Sequence, residues 1–472
     1  MDTEYCTPSG IKKMIYVDWI ASGRLYFPIE ETIIEKFGPF VANTHTETSE
    51  TGMRMTLSYK YAHEIIKKHV NAGPSDVIIT AGFGMTAVVN KLQRLLGLRG
   101  RKDEKRPLNE NDRPVVFLTH MEHHSNQTSW YETDADVVVL KPDYNMLVDT
   151  DELKNQLEIF KNRTFKIGSF TACSNVTGII PPFYKLARLM HEYGGLCFID
   201  FAASAPYEDI NMHPTDPLEK LDAIYFSPHK FLGGPGSSGV LIFDSSLYKN
   251  AVPDDPGGGT VDWTNPWGTY KYVDDIELRE DGGTPGFLQA IRTALAINLK
   301  EEMNTVMIKA REKELLQIAF IELRRIPDIK ILADKQESRM GIISFYHLNI
   351  HYNLIVKLLS DRFGIQVRGG CACAGTYGHF LFEVSHERSK EITDKITNGD
   401  LSEKPGWVRL SLHPTLTNNE LLFITLAICE IVKNHKEWQK DYIYMKNKNE
   451  YIHKSDPGTM KKEIESWFIL QS

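Results

Sequence analysis

Short apolar runs alternate with helical patterns along the first half of the chain. Five runs of four or five residues are rich in β-branched and aromatic side chains and predict buried strands: 77–80, 115–118, 167–171, 196–199 and 223–226. Helical patterns separate most of these runs, such as those at 85–98 and 184–193. Because strands that alternate with helices form parallel sheets covered on both faces, the pattern predicts an α/β fold with a mostly parallel, doubly wound sheet.

The second half of the chain carries fewer strand patterns. A long helical pattern covers 285–313, and a strand begins at 340. A chain of 472 residues is long enough for one large and one smaller domain. We therefore expect four parts: an N-terminal arm that packs with the small domain (1–30), a large domain (31–296), a smaller C-terminal α/β domain (297–440) and a C-terminal extension (441–472).

Three further segments predict features of the surface. Two segments that are dense in charge, 99–113 and 385–404, predict solvated loops. A short helical pattern near the C-terminus has an apolar stripe, which favours a helix docked on its own protein over a partner site. The stripe consists of Met460, Ile464, Trp467 and Phe468.

Composition and charge argue against several classes of protein. The formal net charge is -8 and the sequence has no dominant basic block, which argues against nucleic acid as a partner. No stretch approaches the roughly 18 consecutive apolar residues of a membrane span, and the N-terminus lacks the pattern of a signal peptide. The six cysteines, which include Cys371 and Cys373, are typical of free thiols in a reducing compartment. We expect a cytoplasmic protein that does not bind membranes.

Polar residues follow the predicted strands at the points where the strands end. His123, Asn175, Asp200 and Lys230 each come shortly after a different strand. In an open α/β sheet the ligand lies at the carboxyl ends of the strands. Gly84 ends a glycine turn ahead of a helix, and the free N–H groups at a helix start bind anions. The sequence therefore predicts a ligand site with an anion cradle at this edge of the sheet.

Lys230 is the candidate for a lysine that forms a Schiff base. It follows the strand at 223–226, behind Ser227 and His229, and the glycines after it let the backbone pass close to a flat ligand. A second apolar run at 239–243 places Lys230 between two buried strands. An ordinary surface lysine in a glycine-rich loop is the alternative.

The polar residues fit pyridoxal 5'-phosphate. This cofactor needs a lysine for its aldehyde, a carboxylate for its ring nitrogen, a stacking group and an anion cradle. Asp200 supplies the carboxylate, His123 stacks on the ring and assists proton movement, and Asn175 hydrogen-bonds the ring hydroxyl. The candidates for the phosphate are Gly84, Met85, Thr86, Ser227 and His229. Alternatives stay open, because Asp200 alone is a typical helix cap and His124 competes with His123 for the ring.

The motifs around these residues resemble those of a known family. The chain resembles the class V aminotransferases, which are fold-type I pyridoxal-phosphate enzymes, and within them cysteine desulfurases and selenocysteine lyase-like proteins. The resemblance extends from about residue 16 to about residue 430 and implies the fold-type I architecture. It rests on the motifs at 122–126, 174–178, 200–202, 227–230, 283–285 and 368–373.

The resemblance implies an activity and roles for further residues. It implies a pyridoxal-phosphate-dependent enzyme that removes sulfur from L-cysteine, or selenium from selenocysteine, to leave alanine and an enzyme persulfide. Cys373 matches the sulfur-accepting cysteine, on a glycine-flanked loop that suits movement, and Arg409 would hold the substrate carboxylate. A homodimer with a shared active site is also implied, in which Gly259 and Thr260 reach the phosphate of the neighbouring subunit's cofactor. A sulfur acceptor protein is a further expected partner.

Differences from the family leave other reactions open. Ala203 stands where many desulfurases carry a glutamine. A class V aminotransferase, or a C–S lyase that acts on another amino acid without a protein persulfide, is therefore the alternative. Cys371 and Cys373 also have two other interpretations, as structural cysteines or, with His379, as part of a metal site. No metal is predicted.

Overall fold

A computed structural model describes residues 3–99, 109–455, 458 and 460–470. Its strands are β1 (Glu4–Thr7), β2 (Gly10–Lys13), β3 (Ile15–Tyr16), β4 (Asp76–Ala81), β5 (Val115–Leu118), β6 (Asp136–Val139), β7 (Lys166–Thr171), β8 (Leu196–Asp200), β9 (Ala223–Phe226), β10 (Gly239–Asp244), β11 (Val261–Thr264), β12 (Tyr270–Tyr272), β13 (Ile329–Ile331), β14 (Ile342–His347), β15 (Ile365–Gln366), β16 (Arg368–Gly370), β17 (Trp407–Ser411), β18 (Tyr442–Met445) and β19 (Glu450–His453).

The α-helices fall between these strands and continue beyond the last of them. They are α1 (Phe27–Thr32), α2 (Glu50–His69), α3 (Met85–Leu95), α4 (His124–Tyr131), α5 (Thr150–Ile159), α6 (Phe183–Glu192), α7 (Ile276–Arg279), α8 (Phe287–Met303), α9 (Thr305–Arg324), α10 (Tyr352–Phe363), α11 (Gly375–Leu381), α12 (His386–Thr397), α13 (Asn418–Trp438) and α14 (Met460–Trp467).

A seven-stranded sheet forms the centre of the first half of the chain. Its strand order is β4-β10-β9-β8-β7-β5-β6. Neighbours from β9 to β6 run parallel, whereas β10 runs antiparallel to both β9 and β4. The prediction of a mostly parallel α/β sheet is confirmed, and the carboxyl ends of β5, β7, β8 and β9 meet at one edge.

Both faces of this sheet are buried, which explains why its strands are continuous apolar runs. In β8, Phe198 belongs to one hydrophobic cluster and its neighbour Ile199 to another. Ile224 and Tyr225 in β9 divide in the same way. Successive side chains of a strand point to opposite faces, so a strand covered on both sides needs apolar residues at every position.

A four-stranded sheet, in the order β13-β14-β17-β16, organises the second half of the chain. A separate hydrophobic cluster packs α9, α10 and α13 against it. The N-terminal segment reaches this part of the molecule, because β3 pairs in parallel with β15. The register places Arg368 of β16 opposite Arg409 of β17. The division of the chain into four parts, 1–30, 31–296, 297–440 and 441–472, stays a prediction.

The helical structure predicted at 285–313 is confirmed from residue 287 onward, but the prediction of one continuous helix is wrong. The structure has two helices there, α8 and α9, separated by Asn304. Asn304 adopts a left-handed backbone conformation with φ of 63°, and its side-chain oxygen accepts hydrogen bonds from the N–H groups of Val306 and Met307. A cap of this kind starts a new helix, which the continuous apolar spacing on both sides concealed.

The solvated loop predicted at 385–404 is also wrong over most of its length, because α12 lies there. Ser385 caps this helix through the N–H of Arg388, and the side chains of Arg388 and Glu391 form an ion pair three residues apart. Charged residues at this spacing support a helix. Only Ile392 is buried, which explains the polar composition. Most of the other charged segment, 100–108, lies outside the described residues.

The docking predicted for the C-terminal helix is wrong as well. Helix α14 forms where the pattern placed it, but its apolar stripe stays exposed. The exposed fractions are 70% for Met460, 69% for Trp467 and 84% for Phe468. Amphipathic spacing specified the helix without specifying what it contacts.

The cysteines and the helices bear on the expected location of the protein. All six cysteines are free. Among the described residues, no helix combines the length and the apolar character that a bilayer crossing requires. The cytoplasmic location stays a prediction.

Candidate active site

A cavity of about 190 Å³ lies at the carboxyl ends of the central strands. Ten of the predicted site residues line it: Met85, Thr86, His123, Asn175, Asp200, Ser227, His229, Lys230, Cys373 and Arg409. Gly84 lies directly behind Ser227 and His229. Residues from both sheets therefore meet at one site, although up to 324 positions of sequence separate them.

Lys230 and Asp200 are the two charged groups at the floor of this cavity. Asp200 ends β8 and is 3% exposed, and Lys230 follows the adjacent strand β9. Burial lowers the pKa of Lys230 to about 8, and the Asp200 carboxylate opposes that shift. Burial raises the pKa of Asp200 to about 6, while the Ala202 N–H and Lys230 oppose the rise. The site thus holds an amine that loses its proton near neutral pH.

His123 faces the cavity as a neutral ring. It is the N-cap residue of α4, and its Nδ1 accepts a hydrogen bond from the Ser125 N–H at 3.1 Å. The proton of the neutral ring therefore belongs on Nε2. Burial, together with the nearby Lys230, lowers the pKa of His123 to about 3. His123 can stack on a flat ligand and donate one hydrogen bond, but it carries no charge at neutral pH.

His124 turns away from the cavity and holds the Cys373 segment. Its backbone N–H donates to the Cys373 carbonyl at 2.7 Å, and its Nε2 accepts from the Gly375 N–H at 2.8 Å. Asn175 adds a third hydrogen bond, from Nδ2 to the Ala372 carbonyl at 2.7 Å. Between the two adjacent histidines, His123 is therefore the one that lines the cavity.

The glycine turn ahead of α3 forms a close contact with the strand that carries Lys230. Gly84 has a φ of 111°, and a Cβ atom there would lie 2.9 Å from both Ser227 Oγ and His229 Cε1. Ser227 Oγ accepts a hydrogen bond from the Met85 N–H at 2.8 Å. Thr86 Oγ1 lies 2.7 Å from Ser125 Oγ. Hydroxyl groups and backbone N–H groups therefore converge at the start of a helix, as an anion site requires.

Arg409 is buried in β17 and is tied to an acid. Its guanidinium donates to Asp18 Oδ1 at 2.8 Å and to the Asn175 carbonyl at 3.2 Å. Burial lowers the pKa of Arg409, and Asp18 opposes that change. Asp18 also pairs with Arg368, whose Nε lies 3.2 Å from Oδ2. Two arginines thus share one carboxylate at the wall of the cavity.

Gly259 and Thr260, which were predicted to reach the cofactor of a neighbouring subunit, lie away from the cavity of their own chain. Thr260 is fully buried just before β11, and its hydroxyl donates to the Gly257 carbonyl at 2.7 Å. Gly259 lies beside the ring of His45. Neither residue lines the cavity, so within one chain the structure does not bring them to the site.

Sequence reasoning missed the supporting role of two acids. Glu122 is buried next to His123 and accepts hydrogen bonds from the Thr119 hydroxyl at 2.6 Å and the Thr171 N–H at 3.0 Å. It therefore ties the end of β5 to the end of β7. Asp18 pairs with both arginines across the second sheet. Glu122 belongs to the motif at 122–126, whereas no local sequence pattern indicates a role for Asp18.

Two buried polar atoms at the cavity bear on the kind of ligand that it suits. Asn175 Oδ1 and Arg409 Nε are buried and have no hydrogen-bond partner among the described residues. Since buried polar atoms are nearly always satisfied, these two atoms, with Asp200 and Lys230, favour a polar ligand. The two ring nitrogens of His379 are engaged by the Gly375 carbonyl and the Ser389 hydroxyl, so this ring is not directed at the cysteine pair.

We expect His124 to act as an anchor that depends on pH. Replacement by alanine removes the acceptor for the Gly375 N–H, so hydrogen exchange in the peptide that contains Gly375 should accelerate at pH 7. Burial, and secondarily the Lys404 ammonium, lower the pKa of His124. The neutral ring is the acceptor, so the protection should persist at the ordinary histidine pKa and be lost only at lower pH.

Hydrogen exchange measured by mass spectrometry, corrected for the intrinsic rate at each pH, checks this expectation. His124→Gln is the matched variant, because its side-chain carbonyl is also an acceptor and should keep part of the protection. Equal protection in the wild type and His124→Ala at pH 7 would contradict the anchor.

Comparison with known proteins gives the family of the chain. The sequence model of the class-V aminotransferases matches residues 15–422. A relative named "Probable cysteine desulfurase" from Staphylococcus epidermidis is 28% identical over 364 residues, which cover 77% of this chain and 84% of that protein. A cysteine desulfurase from Haloferax volcanii is 25% identical, over 81% of this chain and 88% of its own length.

Solved structures share the fold. The apo structure of the cysteine desulfurase from Thermococcus onnurineus NA1 superposes with a TM-score of 0.73 at 22% identity, over 89% of this chain and 95% of that one. The cysteine desulfurase CsdA from Escherichia coli gives a TM-score of 0.70, also at 22% identity, over 89% of this chain and 94% of its own. These matches confirm the fold-type I architecture. The chain therefore belongs to the class V aminotransferase family, whose members are in general pyridoxal-phosphate-dependent enzymes.

Proposed function

We propose that the protein is a pyridoxal-phosphate-dependent cysteine desulfurase. It would remove sulfur from L-cysteine, or selenium from selenocysteine, to give alanine and a persulfide on Cys373. The observation that supports this proposal most directly is that Cys373 lines the same cavity as Lys230, Asp200 and Arg409. The relatives named as desulfurases support the same reaction.

The cavity residues fit the cofactor by their chemistry. Lys230 would bind the aldehyde, Asp200 would pair with the ring nitrogen and the His123 ring would stack. Asn175 has an unpaired oxygen that suits the ring hydroxyl. The anion cradle formed by Gly84, Met85, Thr86, Ser227 and His229 suits the phosphate. When bound, pyridoxal phosphate withdraws electrons from the α-carbon of an amino acid.

Lys230 is suited to move the α-proton. An amine with a pKa of about 8 is partly unprotonated at neutral pH and can accept a proton, then return it to carbon. The neutral His123 cannot act as a charged acid in the free enzyme, because burial holds its pKa at about 3. We therefore assign His123 to stacking and to hydrogen bonding from Nε2 during proton movement.

The two arginines at the wall of the cavity are suited to orient the substrate. Arg409 has an unpaired Nε, and the side chain of Arg368 is 47% exposed. A guanidinium binds a carboxylate through two parallel hydrogen bonds. Asp18 neutralises part of their charge until a substrate carboxylate arrives. This clamp fixes which bond of the α-carbon faces the reactive part of the site.

Cys373 would then accept the sulfur. Its thiolate attacks the substrate sulfur, so that an S–S bond forms and the C–S bond breaks. The substrate carbon gains a proton and leaves as alanine, while the sulfur stays on Cys373 as a persulfide. Cys373 and Lys230 both line the active-site cavity, which supports the proximity that this step needs.

We also propose that the enzyme is a homodimer with a shared active site. Gly259 and Thr260 lie outside the chain's own cavity, which suits a contact with the cofactor phosphate of the neighbouring subunit. Several apolar side chains are exposed and available for association, among them Ile34, Leu57, Tyr61 and Phe83, the last of which lines the cavity.

Sedimentation equilibrium tests the assembly. We expect a mass twice the 53.8 kDa of one chain at micromolar concentration. A species with the mass of a single chain at that concentration, in protein that carries the cofactor, would contradict the shared site.

The lysine assignment predicts a covalent adduct at one position. Borohydride reduction of the protein with pyridoxal phosphate should fix the cofactor to Lys230, as mapped by peptide mass spectrometry. The rate of adduct formation should rise from pH 6 to pH 8, because the neutral amine becomes more abundant. Lys300 is the internal control, since burial also lowers its pKa to about 8 but the Ala205 and Glu208 carbonyls hold it away from the cavity.

An adduct at Lys300 in amounts equal to that at Lys230, or none at Lys230, would remove the basis of the proposed chemistry. The Lys230→Ala variant should give no adduct in the Lys230 peptide under the same conditions.

The sulfur-transfer assignment predicts a specific loss in Cys373→Ala. This variant should form alanine from L-cysteine at least about 100-fold more slowly, because the nucleophile is gone, while the cofactor absorbance stays. Cys429→Ala is the matched control, since Cys429 lies on α13 in the other hydrophobic cluster, and it should keep full activity. Alanine is measured by mass spectrometry.

Other products distinguish the alternative reactions. Keto acid with loss of the amino group would indicate an aminotransferase, and sulfide formation unchanged in Cys373→Ala would indicate a C–S lyase. Either result would replace the desulfurase proposal without affecting the family assignment.

A further inference from the structure

A second groove lies on the other side of the Cys373 segment. It has a volume of about 730 Å³ and runs between α10, the 366–373 segment and the β18–β19 hairpin. We call it the hairpin groove. Arg368, Ala372 and Cys373 line both this groove and the active-site cavity. The segment is therefore a partition with a separate opening on each side.

The hairpin wall of the groove is fixed by buried hydrogen bonds. Asn449, in the turn between β18 and β19, is 7% exposed and donates to the Tyr352 hydroxyl at 2.6 Å. Asn353 donates to the Asn449 carbonyl at 2.5 Å. The Tyr352 hydroxyl in turn donates to the Lys404 carbonyl at 3.1 Å. This hairpin lies beyond residue 422, where the match to the family ends.

Four of the five charged residues that line the groove are cations. Its charged lining residues are Lys357, Arg368, Lys404, Lys448 and Glu450. Lys357 and Arg368 are paired with Asp361 and Asp18. Lys404 and Lys448 form no ion pair with a carboxylate of the described residues. Glu450 forms no ion pair among the described residues either, so the unpaired charges of the groove are two lysines and one carboxylate, on a chain whose formal net charge is -8.

One of these cations, Lys404, lines the groove together with Cys371 and Cys373 of the partition. Burial, and secondarily the Lys404 ammonium, lower the pKa of His124, the residue that holds the Cys373 carbonyl. Cys371 lies on the groove side, near enough to the Tyr352 hydroxyl to affect its pKa, which burial raises to about 12. The groove is therefore lined both by cysteine side chains and by lysines without an ion pair.

We propose that the hairpin groove binds an anionic thiol, one that carries a carboxylate, and that this thiol removes the sulfur from Cys373. The proposal rests on the desulfurase function proposed above. Lys404 and Lys448 hold the carboxylate, and the thiol faces the partition. The acceptor thereby reaches Cys373 from the side opposite to the substrate, without entering the cavity that holds Lys230.

The transfer balances without a further reactant. The acceptor thiolate attacks the outer sulfur of the Cys373 persulfide and forms a new S–S bond. The S–S bond to Cys373 breaks, and Cys373 leaves as a thiolate ready for the next substrate. The acceptor departs as a persulfide, so the oxidation state of the transferred sulfur does not change.

A charge series of small thiols tests the groove. The holoenzyme is loaded with L-cysteine, excess substrate is removed, and the loss of the Cys373 persulfide is followed by alkylation and mass spectrometry. The probes are thioglycolate, 2-mercaptoethanol and cysteamine, which carry an anionic, a neutral and a cationic group. Each probe is compared between the wild type and Lys404→Gln/Lys448→Gln, so that differences in intrinsic thiol reactivity cancel.

We expect the double variant to discharge into thioglycolate about three- to tenfold more slowly, since exposed ion pairs contribute only modestly to binding. The rate of discharge into mercaptoethanol should differ by less than about twofold between the double variant and the wild type. The rate of discharge into cysteamine should be equal or higher in the double variant. Lys446→Gln is the matched control, a lysine on the same hairpin that does not line the groove, and should behave as the wild type. Added salt should weaken the thioglycolate preference of the wild type.

The outcomes separate the two proposals. If the persulfide forms but the double variant discharges it into all three thiols at the wild-type rates, the groove proposal fails and the desulfurase function stands. If no persulfide forms on Cys373, both fail. The single variant Lys448→Glu is a second test, at an exposed turn where a folding defect is not expected. Because it places a negative charge in the groove, it should also lower the rate of discharge into thioglycolate relative to the wild type.

Discussion

The site depends on burying an amine and a carboxylate together at the ends of two adjacent strands. Asp200 ends β8, and Lys230 follows β9, its parallel neighbour. Burial shifts their pKa values in opposite directions, to about 6 and about 8, and each group limits the shift of the other. Loss of either partner would leave a buried charge without compensation, which is more costly than losing the pair. The sheet must therefore hold the register of β8 and β9 for both groups to keep their protonation.

The same edge of the sheet explains why two adjacent histidines have different tasks. His123 is the cap of α4, so its ring folds back onto the helix start and faces the cavity. His124 is the first residue inside the helix, and its ring points towards the Cys373 segment. His123 has an extended backbone conformation, with φ of -66° and ψ of 146°, whereas His124 begins the helix, so the two side chains leave the helix start in different directions. His123 is therefore placed to contact a ligand, and His124 holds the Cys373 segment.

The sequence indicated most of the cavity floor because each floor residue follows a buried strand of strong apolar character. Asp200, Asn175 and Lys230 could be placed from that rule alone. Asp18 could not be, because its pairing with Arg368 and Arg409 depends on contacts between segments about 350 positions or more apart. Local patterns also failed at Asn304, where a cap interrupts continuous helical spacing, and at α14, where an amphipathic face carries no information about its partner.

The position of Cys373 is the point at which all of these elements meet. Ala372 and Cys373 both adopt left-handed backbone conformations, with φ of 50° and 57°, which costs about 1–2 kcal/mol each outside glycine. Three hydrogen bonds with His124 and Asn175 hold this strained turn. His124 begins α4 and Asn175 follows β7 of the central sheet, whereas the turn itself follows β16 of the second sheet. The flanking glycines predict movement, but the hydrogen bonds fix the backbone relative to Lys230. The thiol can therefore change its environment by rotation of its side chain, while the wall that separates the two openings stays in place.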